Sequence, residues 1–170
     1  MKASTLEYPY QVIAYIDEPE LGMPVGPPWR AHVTVKRRFK LREGANEQEL
    51  IRQLRSSILQ LPSFDLVLGQ EKPLGDENMV VEILNPSEWQ HLNKLLASAL
   101  HNIVETRDPQ YEGEGYTAHI TTNFRGESVV DSASLVNKKF EIGALWLVKE
   151  HPTGATSAVA VERFGLVRSR

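Results

Sequence analysis

Apolar and polar residues alternate along several short segments of the chain, and this alternation predicts strands. The first such segment is Tyr10–Asp17, which is rich in β-branched and aromatic residues. A loop rich in proline and glycine follows, and a second strand then covers residues 31–39. The same criteria predict later strands at Phe64–Gln70, Met79–Leu84, 116–124, 140–150 and 156–166, with the last two forming a closing hairpin.

Two longer segments carry apolar residues at intervals of three and four, which is typical of a helix that buries one face. The first covers residues 46–61 and ends at Pro62. The second begins at Asn85 or Ser87, since either residue can cap a helix, and runs to about Val104. Each half of the chain thus combines strands with one long helix, which predicts two related α+β lobes packed together. Residues 128–136 form either a short helix or a loop, and the sequence favours neither.

One short pattern occurs twice: alanine, histidine, a β-branched residue and threonine, at residues 31–34 and 118–121. Because side chains alternate along a strand, His32 and Thr34 lie on one face, and so do His119 and Thr121. A single copy would be read as a hydrogen-bonded structural histidine. Two copies that face one groove would supply two imidazoles and two hydroxyls to a common space.

This set of groups is suited to phosphodiester chemistry. One neutral histidine accepts a proton while the other, protonated, donates one to the leaving oxygen. The threonine hydroxyls hold the non-bridging phosphate oxygens. We therefore predict His32, His119, Thr34 and Thr121 as catalytic residues, with no metal and no other cofactor.

Polar residues beside the two motifs are candidates for substrate binding. Lys36 continues the alternation of the first motif, while Asn123 and Arg125 continue that of the second. Cationic groups beside both motifs suit an anionic substrate. The basic run at residues 36–42, to which Lys36 belongs, has an alternative interpretation as a solvated strand edge that blocks pairing with another chain.

Trp29 and Tyr116 each precede a motif histidine by three residues. An aromatic ring at the mouth of a cleft can stack on a nucleobase, so both are candidate binding residues. The alternative is an aromatic side chain that fills the interface between the lobes.

Composition narrows the class of protein. The formal net charge of -3 over 170 residues argues against a protein that coats long nucleic acid. Without cysteine there is no thiolate nucleophile and no disulfide. The amino terminus lacks the apolar segment of a signal peptide, and no apolar run could span a membrane. We expect a soluble, cytoplasmic monomer that does not bind a membrane.

The three remaining histidines fall outside this site. His91 and His101 lie off the apolar face of the second helix and are expected to be exposed, and His151 is expected in the turn of the closing hairpin. None is spaced from a carboxylate or another histidine as zinc ligands are.

The motifs HVT at 32–34 and HIT at 119–121 resemble those of the two-histidine phosphoesterase superfamily, which includes RNA 2′,3′-cyclic phosphodiesterases, also called 2′-5′ RNA ligases. The resemblance implies an α+β fold of two pseudo-symmetric lobes, each an antiparallel sheet with packed helices, around a central cleft. Residues 1–170 would then form a single two-lobed domain.

The resemblance also implies a metal-independent activity. RNA ends or small nucleotides that carry a 2′,3′-cyclic phosphate would be opened to 2′-phosphates, or 2′-5′ linkages would be cleaved or joined. His32 would then donate the proton and His119 would activate water. The chain departs from many relatives in having alanine, rather than proline, before each histidine.

Two alternatives remain open from the sequence. One is a nucleotide-binding module that uses the same cleft without turnover, although simple binding needs no paired acid and base. The other is a metal site built on the two histidines, for which the sequence offers no third ligand.

Overall fold

The computed structural model describes residues 7–26, 29–150 and 158–168. Within these residues the chain forms ten strands and two α-helices. The strands are β1 (Tyr10–Tyr15), β2 (His32–Leu41), β3 (Phe64–Leu74), β4 (Asn78–Ile83), β5 (Val104–Thr106), β6 (His119–Phe124), β7 (Glu127–Ser128), β8 (Lys139–Ile142), β9 (Ala144–Glu150) and β10 (Ala158–Gly165). The helices are α1 (Glu47–Ile58) and α2 (Pro86–Leu100).

The strands form two five-stranded antiparallel sheets with matching arrangements. The first has the order β10-β9-β1-β2-β5, and the second, read from its other edge, has the order β8-β3-β4-β6-β7. Each motif strand, β2 or β6, is therefore the fourth strand of its sheet and lies beside a short edge strand. This equivalence confirms the predicted α+β fold of two related lobes.

The helices form where the apolar spacing predicts them. The Asn46 side chain accepts a hydrogen bond from the backbone N–H of Glu49 at 2.9 Å, which caps the start of α1. Helix α2 begins with Pro86, whose fixed φ suits the first helical turn. Its cap position is Asn85, but that side chain bonds to the backbone of β3 instead, at Asp65 and Val67.

One hydrophobic core joins the two sheets and both helices. It includes Val33 of β2, Leu54 of α1, Leu96 of α2 and Ile120 of β6, all with no measurable exposure. A core shared in this way supports a single domain, which stays a prediction. Within the described residues, no helix is long and apolar enough to cross a membrane.

One detail differs from the sequence prediction, and one that the sequence left open is now described. The predicted strand over 140–150 is interrupted at Gly143, and its two parts join different sheets: β8 pairs with β3, while β9 pairs with β1 and β10. Over 128–136, where the sequence left a short helix and a loop equally open, the helical part is the 3-10 turn Ser132–Ser134. The strands of the closing hairpin do pair as β9 and β10, but its predicted turn, including His151, lies outside the described residues.

Candidate active site

Each motif histidine is the first residue of its strand and has the same local contact. The Nδ1 atom of His32 lies 2.7 Å from the backbone oxygen of Arg30, and that of His119 lies 2.9 Å from the backbone oxygen of Thr117. Because a carbonyl oxygen can only accept, Nδ1 must carry the proton in both rings. Nε2 of each neutral imidazole is therefore left as a proton acceptor.

His119 is close enough to His32 to affect the pKa of that ring. Strands β2 and β6 contact one another although they belong to different sheets. Burial is the main cause that lowers the pKa of His32, and the nearby His119 lowers it further. Burial also lowers the pKa of His119, with a further contribution from the positive charge of Arg37. Both effects favour neutral imidazoles.

The motif threonines share the faces of their histidines. Tyr15 and Ile13 of β1 pair with His32 and Thr34, and Ile13 and Tyr15 pack in a small apolar cluster on the side of the first sheet away from the main core. In the second sheet Glu82 pairs with His119 and Val80 with Thr121. Directly paired residues of an antiparallel ladder lie on the same face. Both threonines are half-buried, so each hydroxyl is available to a ligand.

The prediction that Lys36 shares the face of His32 is wrong. Thr34 pairs with Ile13 but Lys36 pairs with Val12, so Val35 is an extra residue and forms a β-bulge. The bulge turns Lys36 towards the core, where the residue is 1% exposed. Its ammonium donates to Thr106 Oγ1 at 2.7 Å and forms an ion pair with the Glu112 carboxylate. Lys36 thus holds the loop before β6 and is not placed to bind substrate.

A second irregularity in the pairing of β2 places Arg37 and Arg38 on the face that carries His32 and Thr34. Lys36 pairs with Val12 and Phe39 with Tyr10, so Gln11 is the one residue opposite both Arg37 and Arg38. Arg38 forms an ion pair with Glu150 and borders the same small cavity as His32. Arg37 lies near His119, as its effect on that residue's pKa indicates. The basic run at residues 36–42 indicated that cationic side chains lie near the site. Strict strand alternation, however, selected Lys36 instead of Arg37 and Arg38.

Asn123 and Arg125 also depart from the predicted alternation. Thr121 pairs with Val80 and Asn123 with Met79, so Thr122 is an extra residue in β6. The regular alternation of side chains that begins at His119 ends there. Arg125 lies beyond β6, with φ 52° in the two-residue turn that leads to β7. Its guanidinium is 4.0 Å from Glu77 and its side chain is 61% exposed.

The two aromatic candidates have different environments. Tyr116 is buried, and its hydroxyl donates to the backbone oxygen of Thr34 at 3.0 Å. Tyr116 therefore links the chain before β6 to β2. This contact corresponds to the alternative interpretation, an aromatic side chain that fills the interface between the lobes. Trp29 is 41% exposed and lines the cavity beside His32, so its proposed contact with a nucleobase stays a prediction.

Buried polar contacts fix the spacing of the two motif strands. Asn93 of α2 is fully buried; its Nδ2 donates to the Val35 oxygen at 2.8 Å, and its Oδ1 accepts from the Gly113 N–H at 2.8 Å. Asn93 therefore joins the β2 bulge to the loop before β6. No sequence pattern indicated this role for a polar residue on an otherwise apolar helix face.

Cavities of different size adjoin the two histidines. His32 borders one of about 50 Å³, whose walls include Tyr15, Trp29 and Arg38. His119 borders one of about 400 Å³, between Lys72 and Glu82 on one side and α2 on the other. His91 and His101 are exposed, as predicted. Among the described residues, no three histidine or acidic side chains are close enough together to hold a metal ion.

Comparisons with known proteins agree with this arrangement. The sequence profile of the 2′-5′ RNA ligase superfamily matches residues 9–153. No curated protein matches the chain by sequence. The fold is similar to that of a crystal structure described as a phosphoesterase, with 19% identity and a TM-score of 0.58 over 94% of this chain and 99% of that one.

Two further solved structures show the same fold. Escherichia coli LigT in complex with 3′-AMP has 17% identity and a TM-score of 0.56 over 94% of this chain and 99% of that one. The protein TT0787 of Thermus thermophilus has 12% identity and a TM-score of 0.62 over 95% of this chain and 100% of that one.

Proposed function

The chain belongs to the 2′-5′ RNA ligase superfamily, and from this we propose that it is a phosphodiesterase that opens 2′,3′-cyclic phosphates to 2′-phosphates without a metal. The substrates would be RNA ends or small nucleotides, and the same site would cleave or join 2′-5′ linkages. The observation that carries the proposal is the pair of imidazoles from two sheets, each with Nδ1 bound to a backbone oxygen and Nε2 left as the acceptor.

The proposed reaction uses one histidine as base and the other as acid. Nε2 of neutral His119 accepts a proton from water as the water oxygen bonds to phosphorus. The bond from phosphorus to O3′ breaks, and protonated His32 gives its Nε2 proton to that oxygen. Arg37 disfavours a positive charge on His119, which supports the base role for this residue.

The protonated form of His32 requires the substrate. Burial alone favours neutral His32, but a phosphate anion between the rings would favour an imidazolium. The hydroxyls of Thr34 and Thr121 would donate to the non-bridging oxygens, where negative charge grows as the reaction proceeds. E. coli LigT has been crystallised with 3′-AMP, ATP, NADP+ and phosphate, which is consistent with a nucleotide phosphate in the equivalent cleft here.

A substrate panel tests the proposal. The protein is incubated with excess EDTA and with 2′,3′-cyclic nucleotides, an RNA that ends in a cyclic phosphate, or a 2′-5′ dinucleotide. Phosphorus NMR then identifies whether the product phosphate is at the 2′ or the 3′ position. We expect 2′-phosphate from at least one cyclic substrate, and none from a His32→Ala, His119→Ala double variant.

Other outcomes of the panel would reject the proposal. Nucleotide binding without turnover would identify a binding module. Activity that EDTA abolishes and added metal restores would identify a metal site. A 3′-phosphate product would mean that the other ester bond is broken.

A further inference from the structure

Arg37 differs from the other basic residues of β2 in its contacts. Lys36 is paired with Glu112, Arg38 with Glu150, and Lys40 with Glu7 and Glu105. Among the residues that the structure describes, Arg37 has no carboxylate partner and no side-chain hydrogen bond. Its positive charge is therefore available to an anion from solution.

The Arg37 side chain is nevertheless held in place. Its guanidinium carbon lies 4.7 Å from the centre of the Tyr111 ring, which is the distance of a cation–π contact. Arg37 is half-buried, and Tyr111 belongs to the short 3-10 turn Pro109–Tyr111 in the loop before β6. An arginine that stacks on an aromatic ring keeps its N–H groups free in the plane of the guanidinium.

The backbone of β2 directs this side chain towards the motif histidines. Because Gln11 faces both Arg37 and Arg38, both arginines lie on the side of the sheet that carries His32 and Thr34. Arg38 is directed to the cavity beside His32 and is neutralised there by Glu150. Arg37 does not border that cavity, and it is near enough to His119 for its charge to contribute to the lowered pKa of that residue.

We propose that Arg37 binds the non-bridging oxygens of the substrate phosphoryl group, beside the hydroxyls of Thr34 and Thr121. This inference rests on the proposed function, and it gives Arg37 the role that simple strand alternation would give to Lys36. The planar guanidinium donates two parallel hydrogen bonds to a phosphate. In a half-buried site its charge would stabilise the additional negative charge of the transition state.

The proximity of Arg37 also separates the two histidines in function. A cation near His119 opposes protonation of that ring, and this effect contributes to the lowered pKa of His119. A bound phosphate would also pair with the Arg37 guanidinium, and would thereby weaken the effect of that cation on the pKa of His119. One side chain would thus both hold the phosphate and keep the nearby imidazole neutral for its role as base.

Kinetics of three arginine variants test the inference. Arg37→Gln should lower kcat/KM by roughly 100-fold, because one charged donor to the transition state is lost. Arg37→Lys keeps the charge but not the paired donors, and should retain an intermediate rate. Arg52→Gln is the matched control; since Arg52 is an exposed residue of α1 beside Glu49, its rate should stay within about threefold of wild type.

A second pair of variants tests the stacking contact. Tyr111→Phe keeps the ring and should behave as wild type, whereas Tyr111→Ala releases the guanidinium and should lower kcat/KM by roughly tenfold. If Arg37→Gln and Tyr111→Ala both stay within about threefold of wild type while thermal unfolding is unchanged, Arg37 is a solvated strand residue and the inference is wrong.

Calorimetric binding of inorganic phosphate separates this inference from the proposed function. If no substrate of the panel is turned over, the proposed reaction fails, but wild-type protein should still bind phosphate, and Arg37→Gln should bind it at least about tenfold more weakly. Equal binding by the two proteins, or no binding by the wild type, would overturn the role of Arg37.

Discussion

His32 and His119 begin equivalent strands and make the same backbone contact, yet their surroundings differ. The His32 ring lies 5.7 Å from the Tyr15 ring, measured between centroids, and adjoins a cavity of about 50 Å³. His119 pairs across the ladder with Glu82, lies near Arg37 and adjoins a cavity of about 400 Å³. The symmetry of the fold therefore supplies two like groups, and their unlike neighbours would give them different tasks in the proposed reaction. In the proposed reaction His119 would activate water, since the larger cavity beside it has room for that water.

Removal of either histidine should have the largest effect. His32→Ala and His119→Ala should each lower kcat by at least roughly 10³-fold, because acid–base catalysis by one partner is lost. Both variants should keep the wild-type thermal unfolding temperature within a few degrees. Turnover close to wild type in either variant would exclude that histidine from the reaction.

Added imidazole sharpens this comparison. The cavity beside position 119 is larger than that beside position 32, so a free imidazole should reach the space left by His119→Ala more readily. Imidazole in the assay should therefore restore His119→Ala by at least about tenfold more than His32→Ala. Equal rescue of the two variants would mean that the two sides of the site are equally open.

The ion pair beneath β2 should have the next largest effect, and on stability. Lys36→Met leaves the Glu112 carboxylate half-buried without its partner, which should lower the free energy of unfolding by roughly 3–5 kcal/mol. The double variant Lys36→Met, Glu112→Gln should recover a large part of that loss. Urea unfolding of the wild type, both single variants and the double variant measures this coupling. Strictly additive changes would show that the two side chains do not interact.

The two threonines test whether both strands hold the phosphate. Thr34→Val and Thr121→Val preserve the shape of each side chain and remove its hydroxyl. Each should lower kcat by roughly 100-fold if the hydroxyl donates to the transition state. A loss confined to one variant would place the phosphate against that strand alone.

The smallest expected effect is on the pH dependence of stability. The pKa of each motif histidine is lowered by burial in the folded protein, so the unfolded chain binds more protons as the pH falls below about 6.5. The free energy of unfolding should therefore decrease from neutral to acidic pH, and less steeply in a His32→Asn, His119→Asn variant. Identical slopes in the two proteins would contradict the lowered pKa values.

The main elements of the fold follow from local patterns in the sequence. Apolar spacing predicted both helices, and alternation predicted the strand that carries each motif. Whether the 140–150 segment forms one strand or two depends on which sheet each half joins, and that pairing is a long-range property. Gly143 separates the two parts, but a single glycine in a strand is equally typical of a bulge.

The face on which a site residue lies could be predicted only in the part of each strand where side chains alternate regularly. His32 and Thr34 precede the first bulge of β2, and His119 and Thr121 precede the extra residue in β6, so their shared faces were predicted correctly. Lys36 follows a bulge, and its face could not be read from the sequence. Bulges depend on the neighbouring strand, on Asn93 beneath β2 and on the carboxylate of Glu112, which are far away along the chain.

The proposed reaction requires that the two imidazoles share one phosphate. The most direct test is a titration of the wild-type protein with inorganic phosphate, followed by NMR of the ¹⁵N-labelled imidazole rings. We expect the Nε2 signals of His32 and His119 to shift along a single binding curve, while the exposed rings of His91 and His101 do not move with it. If only one motif histidine responds, or if the two follow separate curves, the two rings do not face a common site.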